Sequence, residues 1–228
     1  NRIKHIRSLQ QKKFRQLDQE FVVEGVKMVE ELLASKLVVR QLLYSNDEFS
    51  DISDSAVKIS TKAMEQCSAM KTTPGILAVA QIPDSQPLDL RSVNLILDDI
   101  KDPGNMGTII RSASWFGIDR LILTPDCVDI YNPKVVQSTM GGLFHLHISI
   151  ASKDEILKAE KAWDGSLLIA DMNGESSSRV EWPKSVTLVI GSESQGVSER
   201  FRDAAESVVS IQKIGKGESL NAAISASI

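Results

Sequence analysis

Apolar positions recur along the chain at two alternating periods. Ile3, Ile6, Leu9 and Phe14 share one face of a helix predicted over residues 2–17. Phe21-Val22-Val23-Glu24-Gly25 then reads as a short strand closed by glycine. Val26–Ser35, carrying Val26, Val29, Leu32 and Leu33, reads as a second helix. Val38–Tyr44 predicts a strand, Ser45–Ser55 a polar loop, Val57–Ser60 a short strand, Thr61–Met70 a short helix and Gly75–Gln81 a strand. This alternation implies a small α/β unit over residues 1–82. Ile82-Pro83-Asp84-Ser85-Gln86-Pro87 holds two prolines and no apolar pattern after Ile82, so a linker is placed at 83–91 and a second domain at 92–228.

The second domain alternates again. Strands are predicted at Val93–Leu97, Arg120–Leu123, Phe144–Ile150, Leu167–Ala170, Val186–Ile190 and Val208–Ile211. Helices are predicted at Asn105–Phe116, with Gly117 closing it, and at Lys134–Thr139, Lys153–Trp163, Glu199–Ala205 and from about Ser219. Asn173–Arg179 reads as a polar loop. Strand–helix alternation of this kind makes a parallel sheet with helices on its faces. The fold class is α/β.

Composition narrows the functional classes. At 42% hydrophobic and 25% charged, the chain is an ordinary globular one and not a disordered segment. Apolar runs such as Val93–Leu97 fall far short of the ~20 residues a membrane helix needs. Cys67 and Cys127 are far apart and form neither a metal knuckle nor a disulfide framework, so free thiols in a reducing cytoplasm are expected. No signal peptide shows. The chain starts at Asn1 and stops at Ile228 inside an apolar-periodic run, so both ends are expected to be trimmed. Net charge is −4, yet Arg2, Lys4, Arg7, Lys12, Lys13 and Arg15 crowd residues 1–15 without one acid. A basic arm on an acidic body is an electrostatic footprint for RNA or DNA; a solubilising surface is the plainer alternative.

Ligands in such sheets sit beyond the carboxyl ends of the strands. Three loops qualify. In Asp98-Asp99-Ile100-Lys101-Asp102-Pro103-Gly104-Asn105-Met106-Gly107, Asn105 is a candidate cap for the next helix, whose buried stripe is Ile109, Ile110, Ala113 and Phe116. Arg111 lies opposite that stripe. A cation near a helix N-terminus opposes the macrodipole and calls for an anion. In Gly191-Ser192-Glu193-Ser194-Gln195-Gly196, two glycines bracket a carboxylate. Val197-Ser198 follow where a Walker loop needs Lys-Ser/Thr, so that reading fails, as does a dinucleotide site for want of GxGxxG. In Ile211-Gln212-Lys213-Ile214-Gly215-Lys216-Gly217-Glu218-Ser219-Leu220-Asn221, Ser219 is a candidate cap for the last helix, and the glycines allow close approach to a ligand. Taken singly, each loop is also compatible with an ordinary turn.

Their order and spacing together are specific. Asp102-Pro103-Gly104-Asn105-Met106-Gly107…Arg111, then Gly191-Ser192-Glu193…Gly196, then Ile211…Gly215…Ser219-Leu220-Asn221 closely resemble the three motifs of the SpoU (TrmH-like) RNA 2′-O-ribose methyltransferases. Phe21–Gly25 and Thr72-Thr73-Pro74-Gly75-Ile76-Leu77-Ala78-Val79 resemble, more weakly, that family's ribosomal-protein-L30e-like substrate-binding domain. The resemblance implies a C-terminal SPOUT domain with a trefoil knot, S-adenosylmethionine as cofactor, and a homodimer through the knotted domain. Gly191, Gly196, Ile211 and Leu220 would hold the cofactor. Asn105, Arg111, Glu193, Ser219 and Asn221 match the family's polar active-site positions, and Arg111 the residue placed at the ribose 2′-hydroxyl. The sequence departs from the family at Gln212-Lys213, where Pro-Met is usual.

The implied activity is methyl transfer to a ribose 2′-hydroxyl, with ribosomal RNA as the expected substrate because the N-terminal domain is globular. A tRNA 2′-O-methyltransferase and a non-catalytic RNA-binding assembly factor stay open as alternatives. Asp98, Asp99 and Asp102 lie close together, but a strand precedes them, whereas the DDxxD metal sites of isoprenoid enzymes belong to all-helical proteins. His145 and His147 share a predicted strand face but lack a third ligand. No metal is expected. Lys134 is a phosphate-contact candidate, and Trp163 and Trp182 are expected to be packing residues.

Overall fold

The first predicted helix breaks at Leu9. In the computed structural model, which describes residues 2–118 and 120–228, α1 (Arg2–Ser8) ends there and α2 (Lys12–Asp18) starts after Gln11, whose backbone is extended. The break has a chemical cause. Carbonyls at a helix end lack intrahelical donors; that of Leu9 accepts from Arg15 Nη1 at 2.8 Å, and Gln10 Nε2 donates to the carbonyls of Cys67 and Ser68 at 3.1 Å each. Arg15 is 2% exposed and pairs with Asp129 Oδ2 at 2.5 Å. It is a structural cation and not part of the exposed basic arm, which comprises Arg2, Lys4, Arg7, Lys12 and Lys13.

β1 (Glu20–Glu24), α3 (Val26–Ala34), β2 (Val39–Tyr44), β3 (Val57–Lys58), α4 (Thr61–Cys67) and β4 (Ile76–Gln81) follow. Their sheet runs β1-β4-β2-β3, with β4 antiparallel to both neighbours and β3 parallel to β2. Ile6, Leu9, Val22, Leu43, Met64, Leu77 and Val79 form its core. Ser60 caps α4 by accepting from the Ala63 N–H.

Beyond it come β5 (Val93–Asp98), α5 (Pro103–Phe116), β6 (Arg120–Leu123), α6 (Pro133–Ser138), β7 (His147–Ile150), α7 (Lys153–Lys161), β8 (Ser166–Ser176), β9 (Val186–Gly191), α8 (Glu199–Ala204), β10 (Ser207–Ser210) and α9 (Ala222–Ser225). The six strands are all parallel, in the order β10-β8-β9-β5-β6-β7. Their near-continuous apolar runs suit strands covered on both faces. Ile96, Ile122, Ile156, Leu167, Ile169, Val189 and Phe201 make one core of this sheet.

The chain divides into two units: residues to Asp84 together with Asp129–His145, and Ser85–Val128 with Leu146–Ile228. The sequence pattern had assigned Asp129–His145, which carries α6, to the second domain. The Arg15–Asp129 pair holds it in the first unit, and so does the Phe21 ring, whose centroid lies 4.8 Å from that of Tyr131 and 6.4 Å from that of Phe144. His145 consequently lies outside β7 and pairs with Glu31 at 3.0 Å, so it shares no strand face with His147.

Other boundaries move for local reasons. Asp102, not Asn105, caps α5: its Oδ1 accepts from the Asn105 N–H at 2.8 Å, and Pro103 occupies the first turn, where its missing N–H costs nothing. Asn221, not Ser219, caps α9, accepting from the N–H groups of Ala223 and Ile224. Phe116 is 65% exposed and leaves the buried stripe of α5 to Met106, Gly107, Ile109, Ile110 and Ala113. Strand β8 runs on through part of the predicted loop 173–179. Both cysteines are free and buried. Among the described residues, no helix is long and apolar enough to cross a membrane.

Candidate active site

The three chemically unusual loops leave the carboxyl ends of β5, β9 and β10 in the second unit. β5 and β9 are adjacent, and Asp98 faces Gly191 in register. Asp98 is 1% exposed; its Oδ1 pairs with Lys153 Nζ at 2.8 Å and its Oδ2 accepts from the Ser198 N–H at 2.8 Å. Asp99 pairs with Lys101 at 2.5 Å. With Asp102 capping α5, all three carboxylates have defined protein partners.

Gly191 has no room for a side chain. A Cβ there would sit 2.1 Å from the Gly196 carbonyl carbon and 2.2 Å from the Val197 nitrogen. The turn closes through Gly196 N–H to the Ser192 carbonyl at 2.9 Å, with Gly196 at φ +67°, a region that favours glycine. Glu193, Ser194 and Gln195 are left projecting from it, exposed.

Glu193 is held by a directional chain of amides. Asn221 spends its Oδ1 on the first turn of α9, so its Nδ2 faces outward and donates to Asn105 Oδ1 at 2.8 Å. Asn105 must then turn its own Nδ2 to Glu193 Oε1, to which it donates. One helix cap, Asn221, thereby orients two further predicted site residues, Asn105 and Glu193, from two other loops. Arg111 and Ser219 are not drawn into this chain. Arg111 lies six residues beyond Asn105 on α5, about 9 Å along its axis at ~1.5 Å per residue. It is exposed and, among the described residues, makes no ion pair or hydrogen bond.

A cleft of about 1330 Å³ opens beside the turn. Gly191, Glu193, Gly196, Ile211, Ser219 and Leu220 line it, together with apolar Leu188 and Ile190. Gln212 and Lys213 also line it and are exposed. Trp182, expected to pack, is 46% exposed at its edge and donates from Nε1 to the Ser177 carbonyl at 3.0 Å.

Two further residues shape the cleft without any sequence signal. Residues 170–174 leave the β8–β10 ladder, since Val208 pairs with Ile169 while Val209 pairs with Glu175. Arg202 of α8 clasps this excursion through Asp171 and also donates from Nε to the Val197 carbonyl at 2.9 Å. That hydrogen-bonded guanidinium holds the Asp171 carboxyl below the usual carboxylate range.

The SpoU rRNA Methylase family model matches residues 92–228, and an MRM3-like substrate binding domain model matches residues 1–78. The chain belongs to the SpoU rRNA methylase family. It is 30% identical to the 23S rRNA (guanosine(2553)-2′-O)-methyltransferase RlmP of Bacillus subtilis over 236 aligned positions, covering all of this chain and 93% of that protein. A TrmH-family protein of Porphyromonas gingivalis superposes with a TM-score of 0.91 at 30% identity, over 99% of this chain and 93% of the other. The SpoU methyltransferase AviRb of Streptomyces viridochromogenes, in complex with AdoMet, superposes with a TM-score of 0.87 at 26% identity, over 99% and 94% respectively. Of the three loops that resemble SpoU motifs, the second and third line the cleft, and the first meets the second through the Asn105–Glu193 hydrogen bond. Arg202 and Asp171 lie outside them, which is why no motif found them.

Proposed function

We propose that this SpoU-family chain is an S-adenosylmethionine-dependent RNA methyltransferase acting on a ribose 2′-hydroxyl, with ribosomal RNA as substrate. The observation that carries the reading is the Asn221–Asn105–Glu193 chain, which fixes a carboxylate that lines the cleft. Similarity to RlmP along the entire chain supports the substrate. The cleft fits a nucleoside cofactor: its volume exceeds a typical ligand pocket of ~300–1,000 Å³, its walls are apolar at Leu188, Ile190 and Ile211, and the backbone at Gly191 is bare. Gly191, Gly196, Ile211 and Leu220 would hold the cofactor. When bound, S-adenosylmethionine supplies a sulfonium-activated methyl group.

The remaining work is positional. Glu193, fixed by Asn105, and Ser219 on the facing loop would orient the ribose. Arg111 serves as an electrostatic group and not as a base, because a guanidinium does not deprotonate in proteins. With no anion among the described residues paired to it, Arg111 is available to a substrate phosphate and to the developing 2′-oxyanion. Arg111→Ala is expected to lower kcat about 10²–10³-fold while leaving the melting temperature unchanged, since among the described residues no ion pair or hydrogen bond is lost. Single-turnover methylation of ribosomal RNA checks this; an unaltered rate removes Arg111 from the mechanism.

The trefoil knot and the homodimer belong to the same reading. Strand β10 passes so close to β8 that a Cβ on Gly174 would sit 2.6 Å from the Val208 carbonyl carbon. Trp115 at the end of α5 is 84% exposed and Ile224 of α9 is 52% exposed; Ser112 Oγ of α5 lies 2.8 Å from Ser227 Oγ, just beyond α9. An apolar face of this kind marks a protein contact, and a second copy of the chain is the occupant. Trp115→Glu is expected to convert dimer to monomer in light scattering; an unchanged mass moves the interface elsewhere. The buried free thiols accord with a reducing compartment, and we place the enzyme in the cytoplasm.

The deciding experiment is methyl transfer from labelled S-adenosylmethionine to undermodified total RNA, followed by alkaline hydrolysis. Label in alkali-resistant dinucleotides of ribosomal size is the expected result. Cofactor binding without label points to a ribosomal particle as the true substrate. Absence of both overturns the enzymatic reading, with Gln212-Lys213 the first suspects.

A further inference from the structure

A second cavity, of about 490 Å³, lies wholly within the first unit, away from the methyl-transfer motifs in sequence. Glu24, at the end of β1, lines it and is 5% exposed. Its Oε1 accepts from the Ala69 N–H at 2.9 Å and its Oε2 from the Ser68 hydroxyl. Each oxygen keeps an acceptor site, and among the described residues no cation pairs with the carboxylate. A buried carboxylate without a counter-charge is costly unless further donors reach it. Gln10 adds a second acceptor: both its amide hydrogens serve the carbonyls of Cys67 and Ser68, which leaves Oε1. The donors lie on α6, where Lys134 and Gln137 line the same cavity. Exposed cations stand nearby in sequence on both other walls: Arg7, Lys12 and Lys13 flank Gln10, and Lys71 follows Met70.

We propose that this cavity binds an unpaired guanine of the RNA substrate, read by the Glu24 carboxylate. The inference rests on the reading of the chain as an RNA-modifying enzyme and assigns its first unit a base-specific role. Guanine alone among the four bases presents two adjacent donors, N1–H and N2–H₂, to a carboxylate. The Watson–Crick edges of adenine and cytosine pair one amino group with an acceptor nitrogen that a carboxylate repels, and uracil sets its N–H between two carbonyls. Guanine O6 and N7 accept from an ammonium group, a role that Lys134 fills. Exposed single-stranded bases are what proteins read on RNA by their edges, while the surrounding lysines and arginines hold phosphates without regard to sequence.

The test uses the full chain and fluorescent short oligouridylates carrying one central guanosine, inosine or adenosine. Anisotropy is expected to show the guanosine oligomer binding about tenfold tighter than the inosine one, which lacks only the N2 amino group. Glu24→Gln is expected to erase that preference while leaving the salt dependence of binding unchanged. The inosine comparison needs no variant, so a folding defect in Glu24→Gln cannot obscure the answer. Equal binding of all the oligomers, weakening together with salt, overturns the guanine site and leaves the RNA reading standing. Failure to bind any of them also overturns the site, and methyl transfer to ribosomal RNA by the same preparation then decides whether the enzymatic reading falls too.

Discussion

Gly191→Ala is expected to lower affinity for S-adenosylmethionine, about tenfold for every ~1.4 kcal/mol of binding energy that the displaced turn gives up. The added methyl would meet the Gly196 carbonyl carbon at 2.1 Å and the Val197 nitrogen at 2.2 Å. Both are main-chain atoms in a turn fixed at its base by Asp98, whose carboxylate holds the Ser198 N–H. No flexible side chain can absorb the clash, so the turn itself must move, and with it Glu193 and the cleft wall. Calorimetric titration of the cofactor measures the effect. Near-native affinity would mean that the cofactor does not lean on this turn.

Asp129→Ala is expected to destabilise the first unit by ~3–5 kcal/mol, the cost of stranding a buried charge. Arg15 is fully enclosed, and Asp129 receives both its Nε at 3.0 Å and its Nη2 at 2.5 Å. Its remaining partner among the described residues, the Leu9 carbonyl, offers only a dipole. Removing both charges together is far milder, because a well-packed apolar side chain replaces a buried pair at little or no cost. Arg15→Met combined with Asp129→Ala should therefore recover most of the loss. Chemical denaturation of the two variants reads this directly; a single substitution costing under ~1 kcal/mol would show the pair to be solvated.

The contrast between Arg15 and Arg111 shows where sequence reading works in this protein. Neither charge betrays its surroundings locally. Arg15 sits in a run of cations, and its burial depends on an aspartate 114 positions away. Arg111 stands out because a motif of fixed spacing contains it. Strand positions were legible from apolar runs such as Val93–Leu97 and Val186–Ile190, since their pattern is written in consecutive residues. The extension of β8 to Glu175 and Ser176 was not, because those polar residues pair with distant β10 at Val209 and Ser210. Helix caps were displaced by two or three residues where several Asx and Ser candidates compete, as at Asp102 and Asn105, and proline position decides. The three loops of the site were visible as motifs. The order in which their amides bind one another was not, because it follows from which oxygen α9 consumes.

The Asn221–Asn105 hydrogen bond joins residues 116 positions apart. A ribosome delivering ~5–20 residues per second therefore releases Asn105 several seconds before the group that orients it. Through that interval the nascent chain already displays its basic arm but has no assembled methyl-transfer centre. On the proposed mechanism, catalytic competence waits on the synthesis of Asn221, and a product abandoned before it is expected to occupy RNA without modifying it.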